Sequence, residues 1–347
     1  MHPTDWNMDT VNLKKLAKEL GLAVSTVSRA LRDSHEISKE TKDRVKALAT
    51  AWGFQPNAHA SGLRQNKSKT IGVIIPEIEN NFFSQIINGI ELIAQDKGFH
   101  VLVYLTHEDT EKERSILQLL RNGRVDGLMI SLSNTTTSFE HLEAWRNANI
   151  PIVLFDRICE ELDVPVVTIN DMDVSFKATE HLIENGCKKI AFLSLADQLS
   201  ISARRKAGYL KALQKYNMEP QQLLVECGPD NKTNDEIIHR LLREEKPDGV
   251  FTAIERLAIN MYEVCNEMKI KIPEELKLVS FSNSPSAPLF CPPLSAIVQP
   301  AYDMGREAAA TLFRLIEKKT LLSYEKKVML RAGLCKRNSS AITKSRF

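Results

Sequence analysis

From Leu13 to Leu20 the apolar residues Leu13, Leu16, Ala17 and Leu20 fall at helical spacing behind Asn12, a residue type that caps helix starts, and the run stops at Gly21. A first short helix is predicted there. Val24, Val27, Ala30 and Leu31 repeat the three- and four-residue interval and predict a second. Ser38 before KETKDRVKALATAWGF starts a third, with Ile37 placed as a hydrophobic staple and Val45, Leu48 and Ala49 as its buried face. Three short helices, the first two joined by a glycine turn, form a helix-turn-helix arrangement. Pro56 ends this unit. The following NAHASGLRQNKSK is too short, and too interrupted by Gly62, to hold a helix alone; it reads as a linker able to become helical against a partner.

From Thr70 the texture changes. TIGVIIP, HVLVYL, DGLMISL, PIVLFD, VVTIN, KIAFLS, GVFTAI and KLVSFS are strand-like runs. Between them stand helix-like segments such as NFFSQIINGIELIAQDKG, EKERSILQLLRNGR, DVSFKATEHLIENG, SARRKAGYLKALQKY and AINMYEVCNEMK. Continuous apolar strands alternating with helices imply parallel sheets covered on both faces, and this many strands fit two doubly wound α/β subdomains better than one. In such folds ligands bind outside the carboxyl ends of the strands. Residues 278–302 carry no charge but contain five prolines, which excludes a membrane helix and predicts a buried strand followed by a rigid loop.

Charge adds an asymmetry. Residues 1–70 hold 12 Lys/Arg against 7 Asp/Glu, while the remainder holds 34 against 37. A basic amino-terminal piece on a slightly acidic body points to a polyanion partner for the small end. The six cysteines lie at least 26 residues apart, so no zinc-ligand pair exists and buried, reduced thiols are expected. MHPTDWNMDT lacks the basic and apolar regions of a secretory signal, and a cytoplasmic location with no membrane association is expected. No glycines stand at the GxG interval and no GxxxxGK[ST], HExxH or GxSxG string occurs, so no enzyme, cofactor or metal is expected.

The second predicted helix interleaves its apolar positions with Ser25, Thr26, Ser28 and Arg29. Such a polar row is either the wet side of an ordinary helix or a reading surface, and periodicity alone leaves both open. GLAVSTVSRAL followed by ISKETKDRVKALATAWGFQPN resembles the DNA-binding headpiece of the lactose-repressor (LacI) family. IGVIIPEIENNFFSQIINGIE, RVDGLMI, ATEHLIENGCKKIAFL, RRKAGYLKAL, PPLSAIVQP and the terminal LRAGLCKRNSS carry the likeness through the rest of the chain. The resemblance implies that Val24, Ser25 and Arg29 read operator bases and that Thr26, Ser28, Thr41 and Asn57 hold phosphates. It also implies that Leu63, followed by Arg64, enters the minor groove as a hinge wedge. Ser61 stands where the family has a hinge arginine.

For the body the resemblance is to periplasmic sugar-binding proteins, two lobes around a cleft. It implies a headpiece over 1–55, a hinge over 56–69, one lobe from 70–169 with 298–328, and a second from 170–297 with 329–347. Asn80, Phe83, Asp156, Arg157, Arg205, Ser282 and Asn283 occupy its effector-binding positions, with Phe83 stacking on the ligand and Phe82 in the core. An aromatic face with carboxylate and guanidinium groups suits a sugar; an inter-lobe ion pair is the alternative for Asp156 and Arg157. Two departures bear on specificity: Phe281-Ser282-Asn283 replaces the family's Phe-Asp-Asp, and Ile254-Glu255 replaces Asn-Asp, which is expected to remove a carboxylate and an amide from the cleft. The chain is thus expected to be an effector-modulated repressor, binding a pseudopalindromic operator on double-stranded DNA as a homodimer. A constitutive DNA-binding regulator with a non-functional pocket, and a solute-binding protein, are the alternatives.

Overall fold

A computed structural model describes residues 12–54, 68–79, 81–121, 123–195, 200–218, 223–228 and 230–341. The chain forms two compact units, Met1–Asn66 and Lys67–Phe347.

The small unit contains α1 (Leu13–Leu20), α2 (Val24–Leu31) and α3 (Lys39–Ala51). Asn12 caps α1 by accepting from the Lys15 backbone N–H at 3.0 Å. Gly21 ends it in the left-handed region (φ 64°), which a Cβ would disfavour, and turns the chain into α2. Ser38 caps α3 through the Thr41 N–H. Leu16, Ala17, Val27, Ala30, Val45 and Ala49 form the core, so each helix donates the face its spacing predicts. Val24 is the exception: it stays outside that core, 43% exposed.

The large unit holds two six-stranded sheets. The first is built from β1 (Thr70–Ile75), β2 (His100–Leu105), β3 (Gly127–Ile130), β4 (Ile152–Phe155), β5 (Val166–Ile169) and β11 (Lys327–Leu330), in the order β11-β5-β4-β3-β1-β2. The second uses β6 (Ile190–Leu195), β7 (Leu224–Cys227), β8 (Gly249–Thr252), β9 (Lys277–Phe281), β10 (Ser295–Val298) and β12 (Gly333–Cys335), in the order β12-β10-β9-β8-β6-β7. All pairings are parallel except β10 with β12. Helices α4 (Asn81–Asp96), α5 (Thr110–Arg121), α6 (Glu140–Asn147), α11 (Ala301–Ile316) and the one-turn α12 (Ser323–Lys326) belong to the first lobe. Helices α7 (Asp171–Glu184), α8 (Ser200–Lys215), α9 (Asn231–Glu244) and α10 (Glu255–Met268) belong to the second. The central strands β1, β3, β4, β5 and β8 are buried along their whole length, as sheets covered on both faces require.

Helices α4 and α11 meet backbone to backbone. A Cβ on Gly305 would fall on the Ile86 carbonyl, and one on Gly89 on the Tyr302 carbonyl, so the approach needs glycine on both helices. The chain passes between the lobes three times: at Asn170 between β5 and α7, at residues 299–300 between β10 and α11, and at residues 331–332 between β11 and β12. The last passage lies after Leu330, which pairs with Ile169 in the first sheet, rather than at the boundary of 328. Asn170 ties two passages together: its side chain accepts from the Ala332 N–H at 2.8 Å, and its own N–H donates to the Leu330 carbonyl.

The strand reading needs additions. Residues 278–302 hold a second strand, β10, beyond the predicted loop, and β7, β11 and β12 are short strands at or next to sheet edges. Cys159, Cys187, Cys227 and Cys265 are buried thiols, but Cys291 and Cys335 are exposed, which corrects the expectation of uniformly buried cysteines. Among the described residues no helix is long and apolar enough to cross a membrane, and no group of side chains could hold a metal.

Candidate functional site

On α2 the core takes Val27 and Ala30, and this fixes what the other face presents. Val24, Ser25 and Arg29 are exposed, while Thr26 and Ser28 are half-buried at its sides. Val24 and Ser25 occupy the first turn. Arg29 Nη1 lies 2.9 Å from Glu36 Oε2 in an ion pair open to solvent on both sides, of the kind worth at most about 1 kcal/mol. A guanine edge could therefore displace Glu36 at little cost. Ser28 Oγ accepts from Arg32 Nη2 at 3.0 Å, and the Thr41 and Ser38 hydroxyls lie 2.9 Å apart at the start of α3. A helix start carrying two hydroxyls is suited to a phosphate. Lys42 and Lys46 gather on Asp33 and hold its carboxyl below the usual range. Asn57, Leu63 and Arg64 lie outside the described residues.

The second site is a cleft between the two lobes, about 720 Å³ with the solvent-open part included. The first lobe supplies Phe82 and Phe83 from α4, Asn134 after β3, and Asp156 and Arg157 after β4. The second supplies Arg205 from α8, Glu255 from the start of α10, and Phe281, Ser282 and Asn283 from the end of β9. Phe83, Asp156, Arg157, Arg205, Ser282 and Asn283 are thus brought together; Asn80 lies outside the described residues. The aromatic wall is wider than Phe83 alone. Phe82, expected in the core, also lines the cleft, edge-on to Phe83 at 5.2 Å, and Phe281 closes the second lobe's side.

Asp156 has a left-handed backbone (φ 58°), which asparagine and aspartate tolerate better than other non-glycine residues and which turns the chain sharply after β4. Its side chain is buried and accepts no hydrogen bond among the described residues; the closest cation is Arg157 Nε at 3.9 Å. Burial pushes its carboxyl up to about 6, against the pull of Arg157 and Arg205. Arg157 itself is not held across the lobes: its Nη1 donates to both carboxylate oxygens of Glu108, at 2.7 and 2.8 Å, within the first lobe. Arg205 donates from Nε to Asp171 at 2.8 Å and from Nη1 to the Ala253 carbonyl at 2.6 Å, while its guanidinium lies 3.6 Å over Phe281. Burial also raises the Asp171 carboxyl, with Arg205 opposing it.

The two departures in the second lobe meet each other. Ser282 donates to Glu255 Oε2 at 2.7 Å, so the serine hydroxyl is committed to the carboxylate at 255, a position where the family pattern also has an acid. Glu255, Phe281 and Gln299 are lining residues the sequence reading does not select; for Glu255 the signal was an acidic residue directly after a strand end in an α/β fold. Asn283 has a different commitment. It donates to the Gln299 carbonyl at 2.7 Å and accepts the Gln299 N–H at 3.1 Å, while its Nδ2 lies 3.3 Å from Gln85 Oε1 on α4. It therefore braces the middle passage between the lobes as well as facing the cleft. Behind the cleft, buried Glu113 on α5 accepts from the Ser133 N–H at 2.8 Å and from the Thr136 hydroxyl at 3.1 Å, and pairs with His141 Nε2 at 2.7 Å. These bonds fix the loop that carries Asn134.

A three-helix reader and a two-lobed ligand cleft in one chain define a class: sequence-reading regulators whose body takes up a small molecule. Residues 12–57 match the family model of bacterial regulatory proteins of the lacI family, and residues 179–340 match that of the periplasmic binding protein-like domain. The ribose operon repressor of Halalkalibacterium halodurans is 31% identical over 314 residues, 90% of this chain and 92% of that one. The chain belongs to the lacI family; it is a DNA-binding transcription regulator and not an enzyme. Among solved structures, a LacI-family regulator of Enterococcus faecium with bound ribose is 26% identical, with a TM-score of 0.70 over 79% of this chain and all of that one. The lac repressor dimer bound to operator and an anti-inducer shares the fold at a TM-score of 0.84 and 22% identity, over 95% and 99% of the two chains.

Proposed function

We propose that the protein is a repressor that binds a pseudopalindromic operator as a homodimer and releases or tightens on it when a sugar or sugar derivative fills the cleft. The observation that carries this is the pairing of an α2 face turned to solvent at Val24, Ser25 and Arg29 with a formed cleft lined by aromatic, carboxylate and guanidinium groups. Val24, Ser25 and Arg29 read base edges: a valine methyl suits a thymine methyl, and an arginine suits guanine. Thr26, Ser28, Thr41 and Asn57 fix the helix against phosphates, and Leu63 with Arg64 enters the minor groove between the half-sites. The lobes are 70–169 with 298–328 and 170–297 with 329–347, the first lobe's second segment running on through β11 to Leu330. The family likeness to a ribose operon repressor and to a ribose-bound regulator supports a sugar as effector. Support for an occupied rather than a dead pocket comes from the Glu255–Ser282 pair, which keeps a carboxylate in the cleft.

Selecting bound duplexes from a random pool tests the DNA half. A palindromic consensus with two half-sites about one helical turn apart is expected; an asymmetric or absent consensus would remove the dimeric operator reading.

A further inference from the structure

The charges around the cleft do not balance, and the imbalance lies on its wall. Arg205 is already neutralised by Asp171 and Arg157 by Glu108, and neither of those carboxylates lines the cleft. Asp156 and Glu255 do line it. Among the described residues the only guanidinium near Asp156 at salt-bridge range is Arg157, whose Nη1 is committed to Glu108. Glu255 Oε2 is held by two uncharged donors, the Ser282 hydroxyl at 2.7 Å and the Ser284 N–H at 3.2 Å. No lysine or histidine among the described residues lines the cleft. Among the described residues the lining therefore presents one carboxylate from each lobe, Asp156 with only the shared Arg157 guanidinium at 3.9 Å and Glu255 with no cation in range.

Two orphaned buried atoms belong to the same wall, one acceptor and one donor: Asn134 Oδ1 and Gln299 Nε2 have no hydrogen-bond partner among the described residues. Of the two carboxylates on this wall, Asp156 is buried and Glu255 half-buried, and a buried charge without a dedicated partner is costly, so the wall asks for a positive group on the ligand. A phosphate would bring further negative charge to the same wall, with both guanidiniums already spoken for.

Resting on the reading of the cleft as an effector site, we propose that it selects by charge: it takes a sugar or polyol bearing a protonated amine in preference to the uncharged parent, and rejects the phosphate ester. Asp156 follows β4 in the first lobe and Glu255 opens α10 in the second, so an ammonium engaging both draws the lobes together. The aromatic wall covers the C–H face of the same ligand, and Asn134 Oδ1 and Gln299 Nε2 are placed to meet its hydroxyls.

The test is equilibrium binding to the full-length protein at pH 7.5 with matched sets: glucose, glucosamine and glucose 6-phosphate; galactose, galactosamine and galactose 6-phosphate; and mannose, mannosamine and mannose 6-phosphate. In the set that binds, the amine is expected to bind at least tenfold more tightly than the neutral sugar and the phosphate at least tenfold more weakly. Glu255→Gln, which keeps the side-chain oxygen for Ser282, is expected to shrink the amine-to-neutral ratio below threefold, with the unliganded unfolding temperature showing that the variant is folded. A neutral sugar that binds as well as its amine, or a phosphate that binds better, overturns charge selection and leaves the effector reading intact. An unchanged ratio in Glu255→Gln overturns it as well. Binding of no compound in any set removes the sugar-effector reading and this inference with it.

Discussion

Replacing Asp156 by Asn should stabilise the unliganded protein at neutral pH, and by much less in mild acid. Asn is close in volume and tolerates the left-handed backbone at this position, so packing and chain path are kept while the charge is removed. Burial raises the carboxyl from its ordinary 3.8 to about 6. At about 1.4 kcal/mol per tenfold change in proton affinity, that places a cost of roughly 3 kcal/mol on holding the ionised group in the fold. The direction follows from the raised value. The folded state binds the proton more tightly than the unfolded one, so the favourable contribution is complete below the ordinary carboxyl range and is lost as pH rises through about 6. About 2 kcal/mol of it should disappear between pH 4.5 and 8. His181 complicates the raw curve: burial lowers its imidazole to about 4, so its contribution is lost in the opposite direction, as pH falls from the ordinary histidine range towards 4. The difference between variant and wild type cancels that contribution. Urea unfolding of both proteins at half-unit steps of pH, without sugar, is the assay. A difference that grows by about 2 kcal/mol from pH 4.5 to 8 is expected; parallel curves would refute the argument that Asp156 is a buried, uncompensated acid.

Three further outcomes are expected. Arg29→Ala should cost about 1–3 kcal/mol at one base pair of each half-site and broaden the selected consensus there, while an unchanged consensus would end its role as a base reader. Gly305→Ala should destabilise the large unit by about 2–3 kcal/mol or more in a denaturant melt, because the new methyl meets the Ile86 carbonyl rather than a movable side chain. Glu113→Ala leaves the Ser133 N–H and the Thr136 hydroxyl without their buried acceptor, and a loss of about 3 kcal/mol in the same measurement is expected.

The three helices of the small unit were legible because each carries its own instructions: Asn12 and Ser38 cap α1 and α3, Gly21 turns the chain, and the apolar spacing names the buried face. Val24 shows the limit, since its helical spacing assigns it to the core while the short α2 leaves it in solvent at the first turn. In the body the strands buried throughout, such as β1 and β4, announce themselves as apolar runs. β7, β11 and β12 do not, because strands of three or four residues that are only partly buried, as in LVEC, KVML and GLC, are too short for a period to register. Helix α9 had a readable start at Asp230 and buried Ile238, Leu241 and Leu242 at helical spacing, a signal left unassigned. The cleft was legible one residue at a time where a motif carried it, as at Asp156 and Arg205. The Glu255–Ser282 contact was not, because the two positions are 27 residues apart and meet only when β8 and β9 lie side by side.

The three passages between the lobes bear on how the chain acquires its structure. Each sheet takes an edge strand from residues 327–335: β11 closes one flank of the first, and β12 closes one flank of the second. During synthesis from the amino end, neither lobe can be finished before that stretch leaves the ribosome, however early β1 to β5 have emerged. Both lobes should therefore be completed late and together, and a chain stopped at 326 would leave an unpaired strand edge on each, with the aggregation hazard that open edges carry. The same interleaving makes each lobe depend on the other's chain to exist.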